Sequence, residues 1–230
     1  LFFVGPATNQ KLQKHGIITI GDIANAGSAM LRSLLGKNGE TIWEYANGLD
    51  TSLVVDKPSP IKSIGNRATY PRDLYIADEI KAGFWVLSEA VARRLRLHEF
   101  KAQTVSIYIR DKHLNSCERQ MKVRRPTQLA HEIMETALAL FNANRNFLSG
   151  APVRSLGIKG MNLQAANKYT QLSFLPEEMK RQKWEAIELA MDEVRERFGH
   201  FAIQRGSLML DAIGKINPFD DHTIHPVPYQ

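Results

Sequence analysis

Residues 104–110 alternate strictly between apolar and polar side chains. Val105, Ile107 and Ile109 fall on one side, and Ser106, Tyr108 and Arg110 on the other. A period of two marks a strand with one buried and one wet face. Upstream, Ile80, Phe84, Leu87, Val91 and Leu95 recur three and four residues apart, which holds one face of a helix. After 104–110, the polar run 111–116 predicts a turn into a second strand over about residues 118–125. Pro126-Thr127 then opens another helix, with Thr127 as its N-cap and Leu129, Ile133, Ala137, Leu140 and Phe141 on one side. A strand candidate at 61–70 precedes the first helix, and another at 153–163 follows Gly150-Ala151-Pro152. The order is β-α-β-β-α-β: a four-stranded sheet with two helices on one face and the other face free.

The flanks differ in character. Residues 1–56 read as a small helical unit with Gly-containing turns. Lys57-Pro58-Ser59-Pro60 reads as a linker, and 61–165 as the mixed domain. Residues 166–230 read as a helical extension with a Pro-rich end. In it Trp184, Ile187, Met191, Val194 and Phe198 form an apolar stripe that ends at Gly199, a C′ glycine. That stripe is expected to pack, with an acidic face outward. The class is α+β.

Charge sharpens the picture. The chain of 230 residues carries a formal +6. Residues 61–165 hold 17 Lys and Arg against 9 Asp and Glu, whereas residues 1–60 are neutral and 171–230 are acidic. A basic middle module is what a polyanion partner requires. Ser106, Tyr108 and Arg110 on one strand, with Gln120, Lys122 and Arg124 on the next, supply long donors suited to phosphates. The single Cys117 excludes an internal disulfide framework and a multi-cysteine zinc site, and fits a reducing cytoplasm. There is no membrane-length apolar run, and Leu1-Phe2-Phe3-Val4-Gly5 is not expected to be a signal peptide. With Leu1 in place of an initiator Met, the chain is expected to begin mid-protein.

Several stretches resemble the Y-family, translesion DNA polymerases. Val4-Gly5-Pro6-Ala7-Thr8, Lys11-Leu12 and Gly16-Ile17-Ile18-Thr19-Ile20-Gly21-Asp22-Ile23-Ala24 are similar to their thumb. Lys62-Ser63-Ile64-Gly65, with Thr69-Tyr70-Pro71-Arg72-Asp73-Leu74, resembles the start of their little finger, and Pro152-Val153-Arg154-Ser155-Leu156-Gly157-Ile158 its last strand. The resemblance implies helix-hairpin-helix turns that grip the duplex backbone at Gly5, Ala7 and Thr8, and at Gly36, Lys37, Asn38 and Gly39. Glycines let a phosphate approach, and the helices expected to start near Thr8 and Glu40 offer free N–H groups. The helix that precedes the first turn in the family has no counterpart in the stretch from Leu1, so the first hairpin is expected to be truncated here. On the little finger the implied DNA contacts are Lys62, Ser63, Asn66, Arg67, Ser106, Tyr108, Arg110, Lys122, Arg124 and Arg154.

The same resemblance places the Mg-binding catalytic carboxylates on a palm domain upstream of the thumb. Asp22, Asp50, Asp220 and Asp221 do not replace them. His222 and His225 lack partner ligands, and His131-Glu132 with Glu135 lacks the second histidine of a metalloprotease motif. No catalytic or metal-binding residue and no cofactor is therefore expected in this stretch, which should be inactive alone. Gln171-Leu172-Ser173-Phe174-Leu175 resembles the peptide that binds the bacterial sliding clamp, with Gln171, Leu172, Phe174 and Leu175 as anchors, although the usual final pair is Leu-Phe. The implied partners are damaged or primer–template DNA and the clamp. Two other readings stay open: an RRM-like RNA-binding module, for which only Tyr108 offers a stacking aromatic, and a DNA-repair scaffold with no polymerase.

Overall fold

The computed structural model describes residues 1–53, 60–166 and 176–209. The 171–175 peptide, most of the expected linker, and Asp220, Asp221, His222 and His225 lie outside the described residues. The chain divides into two compact units, Leu1–Pro58 and Ser59–Gln230.

The first unit holds four short helices: α1 (Pro6–Gln13), α2 (Ile20–Asn25), α3 (Ser28–Leu35) and α4 (Lys37–Ala46). Leu12, Ile17, Ile23, Leu31 and Ile42 form its core. The indole N–H of Trp43 donates to the Ala24 carbonyl (3.0 Å), tying α4 to α2. Two helices start earlier than expected. Pro6 suits the first helical position, where its missing N–H costs nothing. Gly36 takes φ 69°, so α3 can end and α4 begin on one residue. Thr19 caps α2 reciprocally with Asp22: the Asp22 N–H donates to the Thr19 hydroxyl, and the Thr19 N–H to the Asp22 carboxylate. The Thr19 and Ile18 backbone donors hold the Asp22 carboxyl below its ordinary pKa. Asp22 is thus a cap.

The second unit has the expected order β-α-β-β-α-β. Its elements are β1 (Ser63–Leu74), α5 (Ala77–Leu97), β2 (Phe100–Asp111), β3 (Ser116–Thr127), α6 (Ala130–Ala143) and β4 (Val153–Ala165). The strands form one antiparallel sheet in the order β1-β4-β2-β3. Each helix therefore crosses over one intervening strand, α5 over β4 and α6 over β2. Helix α5 buries Ile80, Phe84, Leu87, Val91 and Leu95; helix α6 buries Ile133, Ala137, Leu140 and Phe141; and both packing faces meet Val105, Ile107, Ile109, Leu156 and Ile158 of the sheet. Cys117 lies at the rim of this core, where burial pushes its thiol pKa up. Pro71 is tolerated because β1 is an edge strand with a register shift between Thr69 and Leu74.

Two expectations need correction. Thr127 is not an N-cap: β3 re-pairs there with Ala102, and the helix starts three residues later. The α6 start is capped from outside, by a carboxylate on α7 (Pro176–Phe198). The apolar stripe of α7 packs only in part: Trp184, Met191 and Val194 are half-buried, and the Trp184 ring meets that of His131. Ile187 and Phe198 are exposed, whereas Glu178, Glu188 and Arg195 are buried. Helix α7 docks through charged side chains that are long enough to reach α5 and α6. Arg96 meets Glu188 (2.5 Å) and Asp192 (2.6 Å); Arg195 (2.7 Å) and Arg205 (2.6 Å) share Glu89; and Arg181 holds Glu132 (2.9 Å). Gly199, at φ 96°, ends α7 as expected.

Candidate nucleic-acid interface

The register fixes which side chains share the open face. Across β1-β4-β2-β3 it stacks four rows: Thr69, Ser155, Arg110, Ser116; then Arg67, Gly157, Tyr108, Glu118; then Gly65, Lys159, Ser106, Gln120; then Ser63, Met161, Thr104, Lys122. Four cations and one carboxylate occupy this face.

The second row has a specific geometry. Arg67 and Tyr108 stand two strands apart, roughly 10 Å at the usual strand spacing, with Gly157 between them. The absent side chain leaves a gap through which the Arg67 guanidinium lies over the Tyr108 ring, 3.4 Å from its centroid. A Cβ on Gly157 would stand 3.2 Å from Tyr108 Cβ and 3.5 Å from Arg67 Cβ, so the space is already narrow.

The one carboxylate is neutralised locally. Glu118 Oε1 accepts from the Ser106 hydroxyl (2.9 Å) and from Lys159 Nζ (3.1 Å). These two bonds, the Ser106 one foremost, hold its pKa below the ordinary value against the desolvation that opposes them. What remains for an anionic partner is Arg67, Arg110, Lys122 and Gln120, among the exposed residues Ser63, Thr69 and Ser116; the Thr104 and Ser155 hydroxyls are buried and bonded to Asn162 and Thr69. The Arg110 Nε donates to the Leu114 carbonyl (3.3 Å), which steadies its position.

Other expected contacts fall elsewhere. Asn66 pairs with Ile158 and so lies on the opposite side of β1 from Ser63 and Arg67. Arg154 ion-pairs with Asp73 (3.6 Å) at one end of the sheet. Arg124 lies past a register shift in β3 and borders a groove on the helix side. Lys62 is exposed just before β1. Lys159, Gly157, Ser155 and Thr69 belong to the face and were not among the sequence candidates. Counting odd positions along 153–163 would have found the first three.

In the helical unit, Gly5 caps α1 with open space around its Cα, and the first intrahelical bond runs from Asn9 N–H to the Gly5 carbonyl. Ala7 and Thr8 thus occupy the first turn, where N–H groups have no intrahelical acceptor. Lys37 and Asn38 hold the same place in α4. Gly39 does not belong with them. Its N–H donates to the Gly36 carbonyl, and a Cβ there would lie 2.0 Å from the Leu31 carbonyl oxygen. It is a packing glycine where α3 and α4 cross.

Among the described residues, no three His, Cys, Asp or Glu side chains converge as metal ligands, and no helix is long and apolar enough to cross a membrane.

Residues 61–174 match the impB/mucB/samB family C-terminal domain. The chain is 42% identical over 213 residues to DNA polymerase IV of Acetivibrio thermocellus, covering 92% of this chain and 53% of that protein. It is 33% identical over 217 residues to DNA polymerase IV 2 of Bacillus subtilis, covering 92% and 51%. The chain spans about half the length of the curated relatives it matches. A solved Y-family DNA polymerase chimera of Dbh and Dpo4 shares the fold at TM-score 0.55 and 16% identity, over 72% of this chain and 46% of that one.

Proposed function

The chain belongs to the Y family of DNA polymerases, through the impB/mucB/samB C-terminal domain it carries, and from that premise we propose that it grips primer–template DNA for lesion bypass without performing nucleotidyl transfer itself. The observation that carries this reading is the open sheet face, where Arg67, Arg110 and Lys122 are spread over three strands and the lone carboxylate is already paired. Such a face meets phosphates, which position a duplex and report nothing about base identity. A damaged base is then no obstacle to binding. Gln120 and the hydroxyls add neutral donors to backbone oxygens. The first turns of α1 and α4, with Gly5, Ala7, Thr8, Gly36, Lys37 and Asn38, act as backbone anchors of the helix-hairpin-helix kind on the same DNA.

In this reading the metal-binding carboxylates and their Mg belong to a palm domain elsewhere in the working polymerase, in a reducing cytoplasm. Gln171, Leu172, Phe174 and Leu175 tether the enzyme to the bacterial sliding clamp. The RRM-like alternative loses support because Tyr108, the aromatic it needs free for stacking, is covered by Arg67. The test is a titration of primer–template DNA with wild type and with the Arg67→Ala, Arg110→Ala, Lys122→Ala triple variant. Affinity should fall at least about tenfold, equally on unrelated sequences. Undiminished binding by a folded triple variant would remove the open face from the account.

A further inference from the structure

A second cationic surface lies on the other side of β3, away from the open face. Strand β3, helix α6 and helix α7 enclose an open groove of about 750 Å³. Its acids are largely spent. Glu178 pairs with Arg125, and Glu132 with Arg181 at 2.9 Å. Among the described residues, Lys122, Arg124 and Lys180 on its walls have no carboxylate partner, leaving only the exposed Glu135 against them. Trp184, half-buried on α7, borders the same space and is steadied on one side by the His131 ring, with centroids 5.2 Å apart.

We propose that this groove binds single-stranded nucleic acid, with the Trp184 indole as a base-stacking surface and Lys122, Arg124 and Lys180 on the phosphates. A positively charged channel that carries an aromatic is how single strands are held without sequence preference. The volume suits one or two nucleotides and admits no duplex. Lys122 is also the corner of the open sheet face, pairing with Thr104 there. Positive charge therefore continues around the β3 edge, and a strand that leaves a duplex on the open face can enter the groove without crossing an acidic zone. The site goes beyond the duplex grip proposed above and, the shared corner Lys122 aside, stands on different residues.

The test uses the full chain, a labelled short oligothymidylate and a labelled blunt duplex, read by fluorescence anisotropy. Lys180→Glu and Trp184→Leu should each weaken oligothymidylate binding about tenfold while duplex affinity stays unchanged, since loss of one stacked base weakens a single-strand complex by roughly five- to a hundredfold. Arg67→Ala should do the reverse. If Trp184→Leu fails to fold, Lys180→Glu on the exposed surface decides alone. Oligothymidylate affinity unmoved by Lys180→Glu would overturn the proposal. So would displacement of the oligothymidylate by poly-glutamate at concentrations that leave the duplex bound, which would make the groove an acidic-peptide site. If duplex binding ignores Arg67 while oligothymidylate binding follows Lys180, the sheet reading fails and the groove stands.

Discussion

Glu188 concentrates the docking of α7 in one carboxylate. Its side chain is 4% exposed. One oxygen meets Arg96 Nη1 at 2.5 Å, and both accept the Ala130 N–H (2.9 and 3.0 Å), so the group is at once an ion-pair partner and the cap of α6. Changing Glu188→Leu leaves the buried Arg96 guanidinium, among the described residues, with Asp192 and the Gln128 carbonyl, and leaves the first donor of α6 uncapped. Deleting one partner of a buried pair costs about 3–5 kcal/mol, and losing a cap about 1 kcal/mol. The two do not add fully, because α7 can lift away and admit water, which limits the loss to the free energy of docking. The expected result is a loss of about 3 kcal/mol in urea denaturation, with faster tryptic cleavage in α7. Glu188→Gln keeps an oxygen for the Ala130 N–H and should lose less. Burial pushes the Glu188 pKa up, but the neighbouring His131 ring (3.9 Å), Arg96 and the Ala130 N–H outweigh it, so the folded value lies below the ordinary 4.5. The carboxylate's contribution is then fully present above about pH 4.5 and lost as pH falls through the folded value. The gap between wild type and Glu188→Leu should close in acid. A leucine variant as stable as wild type at neutral pH would refute the reasoning and show that the ionic network does not hold α7.

Gly39→Ala should destabilise the helical unit by about 1–3 kcal/mol despite alanine's better helix propensity, because the new methyl meets the Leu31 backbone; faster hydrogen exchange across α3 and α4 is the check. Gly157→Val should displace Arg67 from the Tyr108 ring and destabilise the sheet domain by about 1–3 kcal/mol in urea denaturation, because a Cβ there already stands 3.2 Å from Tyr108 Cβ. A peptide of residues 168–178 should bind a bacterial sliding clamp, and Leu172→Ala with Phe174→Ala should cost about 2 kcal/mol or more by calorimetry. The same double change in the full chain should leave DNA affinity alone.

The sheet was legible because its evidence is local: 104–110 needs only a two-residue period, and the α5 and α6 stripes only a helical one. Lateral neighbours are another matter. Gly157 sits between Arg67 and Tyr108 only because the strand order is β1-β4-β2, and no single-strand pattern records that order. The docking of α7 escapes the sequence pattern for a related reason. A helical wheel favours Ile187 and Phe198 as the buried face, whereas the partners that bury Glu188 and Arg195 are Arg96 and Glu89, 92 and 106 residues distant along the chain. Charged side chains are normally left in water, and pattern reading has no term for pairs so remote. Thr127 has the chemistry of a cap, but β3 re-pairs with Ala102 and claims it as strand. Gly39 shows the same limit, since a glycine that packs a helix crossing and one that admits a phosphate look alike in sequence.

The central claim is a phosphate grip through the open face, and the salt dependence of primer–template affinity tests it most directly. Each neutralised phosphate contributes about −0.9 to the slope of log K against log salt. The Arg67→Ala, Arg110→Ala, Lys122→Ala variant should therefore lose roughly 2–3 units of slope relative to wild type, by the same amount on two unrelated duplexes. An unchanged slope, or a loss on one sequence only, would contradict the account.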